Sequence, residues 1–236
     1  SIIFSYFMLP ILSSSELRKI DESKKEGLKE LEISLDLGIS KTKIKLDKEG
    51  FFINERLVII PKIREDDKSC YIINEDKLEK LQFFSDKTRN VYKLVPTSFR
   101  PILKISGTSM HKKEFVERIK RDKLKGRVLD AGAGLGYTAI TAAKTADEVI
   151  TVEFDENVIE IARLNPYSQE LFDNAKIKLT IADIRKEIKK FKEKGFNYII
   201  FDFGNKKSFG EGFSLENYKE AYRVLKSKGR LYNYIP

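Results

Sequence analysis

The segment Arg127-Val-Leu-Asp-Ala-Gly-Ala-Gly-Leu-Gly-Tyr-Thr138 constrains this chain more than any other. Val128 and Leu129 are strand-like. The alternating Gly132, Gly134 and Gly136 permit a tight turn and close approach of backbone to a ligand, and Thr138 to Ala143 propagate a helix. The stretch reads as a nucleotide-cofactor loop, although three spaced glycines also suit a purely structural turn. The next strand decides between the two. Val149-Ile-Thr-Val-Glu-Phe154 ends in Glu153, about 20 residues after the loop, where doubly wound folds set an acid against ribose hydroxyls.

Two details turn the reading from a dinucleotide to S-adenosylmethionine. The loop opens on Asp130, and a carboxylate there repels a pyrophosphate, so the cofactor should offer a cation. A third strand, Lys178-Leu-Thr-Ile-Ala-Asp183, ends in a carboxylate suited to accept from an adenine amino group. Asp130, Glu153 and Asp183 thus close three successive strands, the placement that α/β sheets use for binding at their carboxyl edge.

On these residues, 124 to 235 resemble a class I S-adenosylmethionine-dependent methyltransferase domain. A narrower resemblance, to a group of predicted archaeal methyltransferases, extends through the N-terminal part. It is carried by Leu35-Asp-Leu-Gly-Ile-Ser40, Lys80-Leu-Gln-Phe-Phe-Ser85, Tyr92-Lys-Leu-Val-Pro-Thr97, Ile105-Ser-Gly-Thr-Ser-Met-His111, Leu135-Gly-Tyr-Thr138 and Ala162-Arg-Leu-Asn-Pro-Tyr-Ser168. The resemblance implies an α/β, Rossmann-like sheet with S-adenosylmethionine at its carboxyl edge. It also implies that Tyr137 and Thr138 contact the methionine moiety and that His111 covers the cofactor, with helix-start packing and a hinge hydrogen bond as the respective alternatives.

At 236 residues and 41% hydrophobic, the chain has enough apolar material for a methyltransferase domain over 105–236 and a smaller β-rich domain over 1–104. The formal net charge of +9 calls for an anionic partner, with RNA expected. Lys and Glu enrichment also describes a heat-adapted, thermophilic surface. A single cysteine, Cys70, permits no internal disulfide and points to a reducing, cytoplasmic setting. The apolar opening, Ser1 to Leu12, falls short of the ~20 residues that span a bilayer and is expected to pack on the domain, so no membrane association is expected.

The first hundred residues offer short strands at Leu31–Leu35, Phe51–Asn54, Leu57–Ile60 and Cys70–Ile73, with Lys62 to Lys68 read as a solvated loop. Lys112 to Lys125 reads as an amphipathic helix with Phe115, Val116, Ile119 and Leu124 inward. Strands then alternate with helices: strand 127–131, helix from 135, strand 148–154, helix 156–164 stopped by Asn165-Pro166, strand 176–182, helix 184–194, strand 196–202, helix 214–227 stopped by Gly229, and strand 230–235. Such alternation implies a parallel sheet.

Methyl transfer is an in-line displacement, so the enzyme holds a nucleophile about 3 to 3.5 Å from the methyl group. For an exocyclic base amine, such as cytosine N4, acceptors that bind its protons direct the lone pair toward the methyl. Asp202, closing Phe196-Asn-Tyr-Ile-Ile-Phe-Asp202, stands where the resembled families place this acceptor. Those families follow the acid with two prolines, whereas this chain reads Asp202-Phe-Gly-Asn205, leaving Asn205 as a substitute acceptor. With one histidine in the chain, no multi-histidine metal site is expected.

Two further readings compete. One is a polyamine-synthase-like aminopropyltransferase, which uses a related fold. The other is an RNA-binding or assembly subunit of weakened catalysis. The last strand, 230–236, is expected to be an edge that pairs with a second chain, with a second copy of this chain, or with residues outside this sequence, unless the sequence is simply truncated.

Overall fold

The computed structural model describes residues 9–110, 113–202 and 214–233. Two units emerge, residues 1–109 and 110–236.

The first unit opens with strand β1 (Ile11–Ser13) and helix α1 (Ser14–Lys25). Ser13 caps the helix by accepting from the Glu16 N–H at 3.1 Å. Leu17 and Ile20, three apart, face inward among charged neighbours. They join Ile33, Ile44, Phe51, Val58, Tyr71 and Ile73 in one apolar core. The strands form three antiparallel groups: β2 (Glu30–Ile33), β3 (Thr42–Leu46), β4 (Gly50–Ile53) and β5 (Arg56–Ile59) in that order; β1 beside β6 (Cys70–Asn74) and β7 (Lys77–Lys80); and β8 (Gln82–Ser85), β9 (Asn90–Val95), β10 (Ile102–Ile105) and β11 (Thr108–Ser109). The β4–β5 turn is a two-residue hairpin on Asn54 and Glu55, both at positive φ (46° and 68°), as the twist of the strands requires.

One part of the expected solvated loop is not solvated. Glu65 and Asp66 are exposed, but Asp67 is buried. It accepts from the Ser69 N–H (2.8 Å) and the Tyr71 hydroxyl (2.9 Å) and pairs with Lys80 (2.7 Å). These donors hold its carboxyl far below the usual range despite its burial. Asp67 therefore fastens the loop to β6 and β7.

The second unit begins with α2 (Lys113–Asp122), whose Phe115 and Ile119 are buried. Five strands follow: β12 (Arg127–Ala131), β13 (Glu148–Glu153), β14 (Ile177–Ile181), β15 (Phe196–Phe201) and β16 (Leu225–Asn233). They pair in the order β14-β13-β12-β15-β16, all parallel. Between them lie α3 (Tyr137–Ala143), α4 (Glu156–Leu164), the short α5 (Glu170–Asp173) and α6 (Ile184–Glu187), and α7 (Leu215–Val224). The helix expected over 184–194 is shorter than its sequence pattern, ending in a 3-10 turn at Ile188–Lys190.

The last helix and strand are bounded differently from the sequence expectation. The chain becomes extended at Leu225, and β16 runs through Gly229. A side chain on Gly229 would press on Leu225 and on the Asn197 carbonyl at 2.9 Å, in the stretch where the register shifts between Phe196 and Tyr198. Gly229 is thus a close-approach position inside a strand, not a helix stop. Among the described residues no helix is long and apolar enough to cross a membrane.

Candidate cofactor and acceptor site

The glycine loop leaves β12 at Gly132 and is held down at once. The N–H groups of Gly132 and Ala133 both donate to the Val152 carbonyl, at 2.9 and 3.1 Å. Gly132 has φ +98°, and a Cβ there would overlap the backbone carbonyl oxygen of Asp202. The loop and the end of β15 therefore approach more closely than any side chain would allow. At Gly136, φ +80°, a Cβ would crowd Leu171 at 2.9 Å. Both glycines thus have intramolecular reasons in addition to any approach of a ligand.

Asp130 has no exposed surface. One of its carboxylate oxygens accepts from Thr138 Oγ1 (3.0 Å) and the other from Thr151 Oγ1 (2.7 Å). Burial pushes its pKa up to about 7, against these two donors and with help from the charges of Asp202 and Glu153. Asp130 lies beneath the loop, joining β12, β13 and α3. Thr151, which sequence reasoning passed over, is half of that joint.

Tyr137 and Thr138 open α3. Both are buried. Tyr137 receives a hydrogen bond from Asn165 Nδ2 at 2.9 Å. Asn165 also donates to Ser168 Oγ (2.7 Å), whose hydroxyl donates to the Leu135 carbonyl at 2.7 Å. Asn165-Pro-Tyr-Ser168 ends α4 and, through this buried network, buttresses the back of the glycine loop. A buried polar group must be satisfied, and here each satisfies another.

Glu153 closes β13 with its carboxylate turned toward the loop. Oε2 accepts from the Gly134 N–H at 2.9 Å, and Oε1 accepts from Phe154 and Asp155, both at 3.0 Å. Burial raises its pKa against these backbone donors. Three of roughly four lone-pair positions are taken, leaving Oε2 one for a ligand hydroxyl. Beside it, Phe154 is 56% exposed and Ile181, opposite Glu153 in the sheet, 48% exposed. An acid bordered by two exposed apolar side chains suits a ribose attached to a flat heterocycle. Neither Phe154 nor Ile181 was selected from sequence; the signal was an apolar residue immediately beyond a strand-terminal acid.

Asp183 is engaged elsewhere. It caps α6, accepting from the Arg185 N–H at 2.9 Å, and pairs with the Arg185 guanidinium at 2.7 Å, which lowers its pKa.

On the other side of β12, the Asp202 N–H donates to the Ala131 carbonyl at 3.0 Å, fixing the end of β15. In the register Phe201 stands opposite Asn233 on β16. Asn233 Nδ2 donates to the Tyr218 hydroxyl at 2.7 Å, while its buried Oδ1 has no hydrogen-bond partner among the described residues. Asn233 went unnoticed in the sequence because β16 was started five residues late and read as an edge alone. Asn205 and His111 lie outside the described residues.

Residues 122–234 match a family model described as a methyltransferase domain. The chain is 37% identical over 222 residues to the uncharacterized protein MJ1233 of Methanocaldococcus jannaschii, covering 86% of this chain and 75% of that one. Among solved structures it is similar to a spermidine synthase in complex with the transition-state analogue AdoDATO, with 25% identity, 64% of this chain, 55% of that chain and a TM-score of 0.55. The spermidine synthase of Thermotoga maritima aligns with 24% identity, 64% of this chain, 54% of that chain and a TM-score of 0.52. The chain thus spans little more than half the length of either solved relative.

Proposed function

We propose that this chain, which belongs to the class I S-adenosylmethionine-dependent methyltransferase family, methylates a nucleobase amine of RNA, such as cytosine N4 in ribosomal or transfer RNA. It is an enzyme, and S-adenosylmethionine is its cofactor. The cofactor supplies a methyl group on a sulfonium, transferred in one displacement. The residues of the chain provide position and acceptors. Glu153 takes a ribose hydroxyl on Oε2, Phe154 and Ile181 flank the heterocycle, and the network beneath the glycine loop fixes the backbone that faces the cofactor.

The observation that carries the acceptor reading is Asn233 at the end of β16, beside the end of β15. Phe201 stands opposite Asn233, so these two share a face of the sheet and Asp202 follows on the other, and among the described residues the buried Asn233 Oδ1 accepts no hydrogen bond. A desolvated acceptor suits an amine proton, and binding that proton increases the amine's nucleophilicity. A chain of net charge +9 also favours a polyanion over a cationic substrate. A reducing, cytoplasmic setting fits the lone Cys70, which is buried and whose thiol pKa burial pushes up.

A second reading, aminopropyl transfer to a polyamine, is favoured by the similarity to spermidine synthase. A polycation would have to enter a strongly cationic unit, which weighs against it. Incubation of the protein with total RNA and isotopically labelled S-adenosylmethionine, followed by nucleoside mass spectrometry, tests the proposal. A labelled methyl-amine nucleoside is expected. Label in protein alone, or transfer to a polyamine only when decarboxylated cofactor is given, would overturn it.

A further inference from the structure

The positive charge is concentrated. Residues 118–127 and 226–230 contain nine lysines and arginines against one carboxylate, Asp122, so fifteen residues hold +8 of the chain's +9. The two segments meet. Tyr232 on β16 donates to Asp122 at 2.9 Å, and the Arg118 guanidinium lies over the Tyr232 ring at 5.2 Å. Lys226 Nζ donates to Asn197 Oδ1 (2.9 Å), which also accepts from the Arg127 N–H (3.0 Å). Arg230, two residues before Tyr232, projects to the same side of the sheet, toward α2.

Several of these cations are not neutralised by a carboxylate. Arg127 pairs with Glu148 and Arg121 with Asp122. Arg118, Lys123, Lys125, Lys228 and Arg230 are exposed and form no ion pair among the described residues. Lysines on an edge strand also discourage unwanted strand pairing. That accounts for Lys226, Lys228 and Arg230 but not for the cations of α2 and the loop after it, which are not on the edge.

We propose that this surface is the track on which single-stranded RNA lays its phosphates. The inference rests on the RNA reading above and adds where the chain is held. Among the described residues β16 is the outermost strand of its sheet, so its outward backbone N–H groups stand beside the cations as further phosphate donors. The strand runs roughly 25 Å toward Asn233, at about 3.3 Å per residue. A backbone following it arrives at the carboxyl edge, where a base turned out of the stack meets the ends of β15 and β16.

The test uses the full chain and a fluorescein-labelled single-stranded RNA of mixed sequence, with binding measured by anisotropy across ionic strengths. The variants are Lys226→Glu/Lys228→Glu/Arg230→Glu and, off the edge strand, Lys123→Ala/Lys125→Ala. The charge-reversed variant should bind at least tenfold more weakly at low salt, with a log–log salt slope shallower by about two. The alanine pair should flatten the slope by about one. Calorimetry with S-adenosylmethionine should give unchanged affinity for both variants, which establishes that each is folded. Wild-type binding matched in strength and slope by both variants would overturn the track while leaving the RNA reading standing. Absence of RNA binding by the wild type at low salt would overturn the reading itself. A wild-type dimer in light scattering that the charge-reversed variant dissociates would assign the edge to a second copy and overturn the track.

Discussion

The carboxyl edge of the sheet has two halves that differ in how their polar groups are employed. Over β12, β13 and β14 every predicted acid is already bonded: Asp130 to two threonines, Glu153 to three backbone N–H groups, Asp183 to Arg185. Over β15 and β16 the arrangement ends in an asparagine oxygen that is buried and, among the described residues, unbonded. The first half is assembled before any ligand arrives, so binding there costs little ordering. In the second half an acceptor is desolvated in advance, and its missing bond is available to a substrate. The contrast is that of a cofactor seat and an acceptor seat, separated by the contact between Gly132 and Asp202.

The sharpest way to break the contrast is at that contact. Gly132→Ala places a Cβ against the Asp202 carbonyl at a φ that side chains rarely adopt. Loss of roughly 2 to 4 kcal/mol of stability is expected, from overpacking and backbone strain together. Chemical denaturation measures it. If the variant is as stable as wild type and binds S-adenosylmethionine normally, the two halves are not joined as described.

Glu153→Ala addresses the cofactor half alone. It removes a charge-assisted hydrogen bond to the ribose and the latch on Gly134, so affinity for S-adenosylmethionine should fall roughly tenfold to a hundredfold, the equivalent of about 1.5 to 3 kcal/mol. Titration calorimetry gives the answer directly. Equal affinity in the variant would mean that the ribose lies elsewhere.

Much of the cofactor half is legible in the sequence because its signals are local. An apolar run ending in glycines and a second run ending in an acid about 20 residues later locate Glu153 without any knowledge of contacts. Tertiary partners are not legible in this way. Nothing near Asp130 announces that Thr138 and Thr151 satisfy it, and the Asn165–Tyr137 bond joins residues 28 apart. Helix α1 escaped notice because only Leu17 and Ile20 anchor its charged surface to the core. Several strands of the first unit escaped for a related reason: their alternation is carried by lysine and glutamate, as in β7, Lys77–Lys80. On β16 a helical pattern that ran on through Leu225, followed by a glycine, resembled a helix stop, and the true cause of Gly229 lies across the sheet at Asn197.

Asp130 gives the cofactor half a pH signature. Its folded pKa, about 7, lies above the unfolded value near 4, so between these pH values the folded state holds a proton that the unfolded state has released. Stability from this group is therefore greatest below about pH 4 and declines as pH rises toward 7, by at most about 1.4 kcal/mol per pH unit. Asp130→Asn, which cannot titrate, should remove that decline. Urea unfolding at intervals from pH 4 to 8 compares the two; parallel curves would show that Asp130 is ionised beneath the loop throughout.

The smallest change in stability should come from the residue that most distinguishes the acceptor half. Asn233→Ala removes one hydrogen bond, to Tyr218, together with an oxygen that is already desolvated and unbonded. The loss of the first costs about 1 kcal/mol and removal of the second returns part of it, so the net effect on unfolding should stay below about 1 kcal/mol. S-adenosylmethionine affinity should not change, because every group assigned to the cofactor lies on the far side of β12. Methyl transfer to RNA should nevertheless slow by about tenfold in kcat, since an acceptor for the amine protons is gone. Asn233→Asp keeps an acceptor and should retain more activity than alanine. Single-turnover rates for the two variants, beside calorimetry on both, discriminate the roles: equal rates in wild type and alanine variant would reduce Asn233 to packing against Tyr218, and a cofactor affinity that falls with the rate would erase the division between the halves.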